Sequence, residues 1–131
     1  MNAFKYQREL DVPFLQQKFG NDIFSAREII GSFVEMVDNE LGILEAALLQ
    51  RDYKVFARVA HRMKHGLSIL GLQQEIKLVD ELRAHLASYG SNDRLQLLCR
   101  RFVDDLEEKR ALFKVEMIRL DNWIEQAANE S

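Results

Sequence analysis

Along residues 22–50 the apolar side chains Ile30, Phe33, Val37, Leu41, Leu44 and Leu48 follow one another at steps of three or four. At 3.6 residues per turn these steps collect on one face, so the spacing predicts a long amphipathic helix from Asp22 to Gln50. Gly31 and Gly42 fall inside it; each lowers helix stability by roughly 1 kcal/mol relative to Ala, and both are candidate points of close backbone approach. Taking ~100° per residue, Phe56, Val59, Ala60, Met63, Leu67 and Leu70 lie within about 60° of one direction. They predict a helix from an Asp52 N-cap to Leu70, ended by Gly71. A further helix follows over about 73–88, with Ile76, Val79, Leu82 and Leu86 as its stripe. Ser91 is placed to cap a long last helix carrying Leu95, Leu98, Phe102, Leu106, Phe113, Met117, Leu120 and Ile124, interrupted only by Lys109 on the seam. Ahead of all four, Asp11, Pro13 and Gly20 mark the start and stop of a short helix at about 12–19.

Short connections leave each helix beside its predecessor, so the expected fold is all-α: an antiparallel up-down-up-down four-helix bundle with a short extra N-terminal helix over one end. No repeat, low-complexity tract or linker divides the chain, which reads as a single domain over 1–131 with its core at about 11–124. At 131 residues, 47% apolar and 30% charged, with one Pro and six Gly, the composition suits a folded helical protein. The single Cys99 can form no intramolecular disulfide, and apolar runs such as Ala46–Leu49 are far short of a membrane span. The opening residues lack the apolar segment of a signal peptide. These features predict a cytoplasmic protein with no membrane partner, and the initial Met and short tails favour a free-standing one.

Charge changes the picture locally. Between Arg51 and Gly71 the five cations Arg51, Lys54, Arg58, Arg62 and Lys64 face one acid, Asp52, in a chain whose net charge is −3. The patch is small for a nucleic-acid footprint and no aromatic rings alternate with its cations, so no nucleic-acid partner is expected; an acidic or phosphorylated partner suits it better. His61 stands about 140° from the core direction, in a surface predicted to hold Lys54, Ala57, Arg58, Lys64, His65 and Ser68. An imidazole with a pKa near ~6.5 is largely neutral at pH 7 and has a lone pair able to attack phosphorus directly. Phosphoryl transfer asks a protein mainly for position and positive charge. Lys64, three residues on, is a same-face neighbour able to supply the charge.

The stretch "AHRMKHGLSILG", residues 60–71, resembles the motif of the histidine phosphotransfer (HPt) domain: Ala-His-x-x-Lys-Gly followed by small residues, with a Gly ten residues after the histidine. Ala60, His61, Lys64 and Gly71 match it. "FGND" before a long helix, Asp52 ahead of the motif helix and two further helices extend the likeness over about 11–120. The resemblance implies a four-helix phosphorelay carrier in which His61 accepts a phosphoryl group from a receiver-domain aspartate and passes it to another, with Lys64 stabilising the phosphohistidine. It implies response-regulator receiver domains and a hybrid histidine kinase as partners, Mg²⁺ held by the receiver rather than by this chain, and no independent turnover. Lys54, Ala57, Arg58, His65, Gly66 and Ser68 are the expected contact surface.

Two positions depart from the motif. His65 stands where the family has Gly, with Gly66 one place later, and Leu67 replaces a small residue but points inward. His65 is a poor acceptor itself, since Ser68 rather than Lys lies three residues on and no Gly lies ten on. Two other readings remain open: a helical interaction module that docks a receiver or kinase without being phosphorylated, and a weak metal site using His61 and His65 at i and i+4.

Overall fold

A computed structural model describes residues 3–130; residues 1, 2 and 131 of the predicted 1–131 domain lie outside the described residues. Its helices are α1 (Val12–Phe19), α2 (Ile23–Leu49), α3 (Tyr53–Arg62), α4 (Lys64–Ile69), α5 (Gln73–Tyr89) and α6 (Asp93–Glu130). Side-chain caps start most of them. Asp11, Asp22 and Asp52 each place a carboxylate oxygen on the backbone N–H three residues on, at 3.2, 3.1 and 3.3 Å, satisfying a donor the helix itself leaves free. Gly20, Gly71 and Gly90, all at positive φ, end α1, α4 and α5.

The short turns at 50–52, 70–72 and 90–92 fold the chain back each time. α2 packs on α3 and α6, and α5 packs on α3, α4 and α6, which closes the ring of the expected antiparallel four-helix bundle. The predicted stripes form its core: Ile30, Val37 and Leu44 of α2, Phe56, Val59 and Leu67 of α3 and α4, Val79 and Leu82 of α5, and Leu95, Phe102, Leu106 and Phe113 of α6 are all buried. Edge-to-face pairs join Phe33 to Phe113 and Phe56 to Phe102, with ring centroids 5.1 and 6.2 Å apart, each worth about 0.5–1.5 kcal/mol beyond its buried area. α1 covers one end, where the Phe14 ring lies against Gly71.

Four expectations are corrected. The helix expected over 52–70 is two, divided at Met63, whose φ and ψ of −79° and −12° stay helical while its N–H is shared between the Val59 and Ala60 carbonyls at 3.2 and 3.1 Å. That tightened turn leaves the buried face continuous and brings residues three apart closer to line. Ala57, expected in the solvent-facing surface, is buried, because α3 packs between α2 and α5 and its buried arc is wider than one stripe. Asn92 rather than Ser91 caps α6: its Oδ1 accepts from Leu95 N at 3.0 Å and lies 2.7 Å from His85 Nε2.

The core also begins earlier than residue 11. At ~1.5 Å per residue, the 38-residue α6 runs about 57 Å and overhangs the 17-residue α5, at about 26 Å, whose start meets it near Lys109. Residues 3–10 fold back over the overhang. The buried Glu116 accepts from Gln7 N at 2.8 Å and from Arg119, Gln7 Nε2 donates to Leu112 O at 3.0 Å, and Arg119 Nη2 donates to Lys5 O at 2.6 Å. Tyr6 is buried among these groups, and its hydroxyl pKa is pushed up to about 12 by burial and by the Glu116 charge.

Lys109, the one cation on the α6 seam, has a partner in kind. Glu75 of α5 is buried opposite it, and burial raises the Glu75 carboxyl above its ordinary value against the opposing pull of Lys109. Between its unfolded and its raised folded pKa the native state therefore holds more protons, so stability falls as pH rises through that window. Glu75→Gln is expected to unfold at a higher temperature than the wild type at pH 8, with a smaller difference at pH 4.5. Thermal melts at the two pH values check this; a difference independent of pH would remove burial as the cause.

Candidate functional site

His61 lies in the last turn of α3, exposed and directed toward α5. Lys64 opens α4. The tightened turn at Met63 lies between them, and α5, running antiparallel, meets both at the same i, i+3 interval. Arg83 Nη1 is 3.0 Å from His61 Nδ1, and Lys64 Nζ donates to Asp80 Oδ1 at 2.6 Å. Arg83 thus touches the exposed imidazole, and the Lys64–Asp80 ion pair lies one turn further along the same two helices. The Lys64 side chain, expected to extend into water, instead lies along α5 at 31% exposure, while Asp80 is 56% exposed.

The other expected contact residues divide. Lys54 and Arg58 are exposed on α3, about two turns and one turn before His61, and extend the positive surface. Ser68 is exposed, with its hydroxyl donated to the His65 carbonyl at 2.6 Å. Ala57 is inside and forms no part of the surface. Gly66 is half-buried for a packing reason: a Cβ there would meet Met36 Sδ and Cε of α2 at 2.5 and 2.8 Å, so the tip of the Met36 side chain occupies the space that glycine leaves. His65 stays exposed beside it.

His65 and Arg62 flank an apolar groove of about 380 Å³ between α2 and α4, floored by Ile29, Phe33, Met36, Gly66, Ile69 and Leu70. Arg62 is tied to Glu40 of α2 at 3.0 Å. The motif points neither to this groove nor to Asp80 and Arg83. A usable signal exists for the two α5 residues: in a helical hairpin, positions equidistant from the turn lie level. Lys64 and Asp80 are each eight residues from Leu72, and His61 and Arg83 are each eleven.

Among the described residues no group of three or more His, Cys, Asp or Glu side chains is placed to hold a metal ion, and Nδ1 of His61 faces a guanidinium. No helix among them is long and apolar enough to cross a membrane. Cys99 is buried in the core, where burial pushes its thiol up to about 12 and keeps it protonated.

No curated protein and no solved structure matches the chain. The family model of the Hpt domain matches residues 28–130, a span that runs from α2 to the end of α6 and contains His61, Lys64 and the α5 residues that meet them. The chain therefore belongs to the Hpt family, the histidine phosphotransfer domains that act as intermediates in phosphorelays.

Proposed function

We propose that His61 is the phosphoacceptor: it takes a phosphoryl group from the aspartyl phosphate of one receiver domain and gives it to the aspartate of another. The observation that carries this reading is the exposed imidazole on a rigid bundle, with the Lys64 ammonium one short turn away along the same face. A ring-nitrogen lone pair forms the N–P bond as the P–O bond to the aspartate breaks. The electron pair leaves with the carboxylate, and the ring N–H proton passes to solvent. Donation reverses these changes with a second carboxylate as nucleophile.

The surroundings suit a docked receiver. The apolar groove flanked by His65 and Arg62 offers area to bury, and Arg58, Arg62 and Lys54 give an acidic partner face a complementary charge. His65 stands at the boundary between groove and acceptor and adds a ring where the family motif has none, which makes it a determinant of which receivers fit. Incubation with phosphorylated receivers, followed by mapping of acid-labile, base-stable label, tests the assignment. Label on His61 is expected. A domain that binds receivers and never carries label would be an interaction module instead.

Lys64 must exchange partners to serve a phosphoryl group, because Asp80 holds its ammonium in the unphosphorylated domain. Asp80→Asn frees that ammonium to turn toward the phosphate. A surface ion pair is worth about 0–1 kcal/mol, so the phosphohistidine of this variant is expected to live up to about five-fold longer. Lys64→Ala shortens the lifetime, and the double variant behaves like Lys64→Ala. Decay of the isolated phosphodomain measures all three; an Asp80→Asn effect that survived loss of Lys64 would show that the carboxylate acts by itself.

A further inference from the structure

Phosphoryl acceptance by itself does not call for the contact between Arg83 Nη1 and His61 Nδ1, 3.0 Å apart. A guanidinium has N–H donors in a fixed fork, no acceptor, and keeps its charge throughout the working range of proteins. Nδ1 must therefore be the acceptor. A neutral imidazole carries one N–H, so accepting at Nδ1 places that hydrogen on Nε2. The lone pair at Nδ1 is then engaged by Arg83, and Nε2 has none to offer. In this arrangement neither nitrogen is ready to attack phosphorus.

We infer that Arg83 is a positioning residue that latches His61 in the Nε2–H tautomer, and that the latch opens before the ring accepts a phosphoryl group. The role in transfer rests on His61 being the phosphoacceptor; the tautomer does not. With Arg83 drawn away, the ring proton can reside on Nδ1, where it would otherwise face donor against donor, and the lone pair appears on Nε2. Nε2 then bonds to phosphorus as the P–O bond of an incoming acyl phosphate breaks, its electron pair leaves with the carboxylate, and the Nδ1 proton passes to solvent. Arg83 can return to the deprotonated Nδ1 of the phosphorylated ring. Both side chains are exposed, and an acidic receiver surface competes directly for the guanidinium, so docking itself supplies the opening.

Nitrogen NMR of isotope-labelled histidine rings, above the pH at which they titrate, reads the tautomer without any phosphate. The wild type is expected to hold His61 as Nε2–H. Arg83→Gln is expected to raise the Nδ1–H share, because the glutamine carbonyl can accept from it. Equal populations in the two proteins overturn the latch. In a second arm, the small phosphodonor phosphoramidate is expected to label His61 about five-fold faster in Arg83→Gln than in the wild type, the size of one exposed hydrogen bond, while Arg83→Lys stays slow. A rate equal to or below that of the wild type overturns the latch, since the guanidinium would then be assisting through its charge. If the tautomer shifts but neither protein takes label on His61, the phosphoacceptor assignment falls, and with it the role of Arg83 in transfer.

Discussion

Replacing His61 with glutamine is expected to abolish labelling of the domain by a phosphorylated receiver while leaving the bundle intact. A carboxamide is close to imidazole in reach but has no nucleophilic nitrogen lone pair, so the loss should be complete rather than graded. The side chain is exposed, as is Arg83 on which it rests, so stability should move by no more than about 0.5 kcal/mol. His65→Gln, made in parallel, should keep its label: Ser68, where the motif needs a lysine, has its hydroxyl turned to the His65 carbonyl. Labelling, acid and base treatment and a urea titration of each protein check the prediction together. The chain has three histidines, so wild-type labelling of His61→Gln would move the acceptor to His65 or His85.

Much of the bundle is legible from spacing because burial in helices repeats with the helix itself. The predicted stripes face inward, with Ile76, Leu86, Met117 and Ile124 half-buried at their edges, and Leu67, the large residue that replaces a small one of the motif, lies in the core with no exposed surface. Ala57 escapes this reading for a reason that periodicity cannot carry: a single stripe describes contact with one neighbour, and α3 has two. The folded N-terminal segment escapes it for another. Residues 3–10 have no period, and what holds them is a set of bonds to Glu116, Leu112 and Arg119, more than a hundred positions away. The clue lies in α6, whose apolar stripe continues to Ile124, well past Lys109, where the start of α5 meets it.

The site is legible on one helix and not across two. His61 and Lys64 share a face of the motif segment, which a helical wheel resolves. Asp80 and Arg83 bear on the same chemistry only through the register of α5, and that register depends on the turn at 70–72 being short and fixed. The consequence is physical. Viewed alone, Lys64 is a free ammonium and His61 a free nucleophile; opposite α5, one is ion-paired and the other has its Nδ1 lone pair engaged. On the proposed assignment the resting domain is therefore more guarded than its motif suggests, and a docking receiver would have two contacts to rearrange before transfer.

Gly71→Val is expected to destabilise the domain by about 2–4 kcal/mol, and the reason ties the last residue of the motif to the fold rather than to chemistry. Gly71 ends α4 at φ +69°, a conformation that costs an L-residue roughly 1–2 kcal/mol and a β-branched one more. It also lies under α1, where a Cβ would meet three atoms of the Phe14 ring at 2.8–2.9 Å, and forcing such contacts adds about 1–3 kcal/mol. The two contributions can be separated. Gly90 is open, with nothing within 4 Å of the position a Cβ would take, but its φ and ψ of +70° and −157° suit glycine alone, so the control is Phe14→Ala: in that background Gly71→Ala should show the backbone strain alone, and its excess in the wild-type background the cost of displacing Phe14. Gly42, helical and equally open, should gain up to about 1 kcal/mol on replacement by Ala. Urea denaturation of the variants orders them as Gly42→Ala, wild type, Gly71→Ala, Gly71→Val from most to least stable. If Gly71→Ala cost as much without the Phe14 ring as with it, α1 would not be seated on the α4–α5 turn in solution. The turn that sets Arg83 opposite His61 would then be held by its own backbone alone.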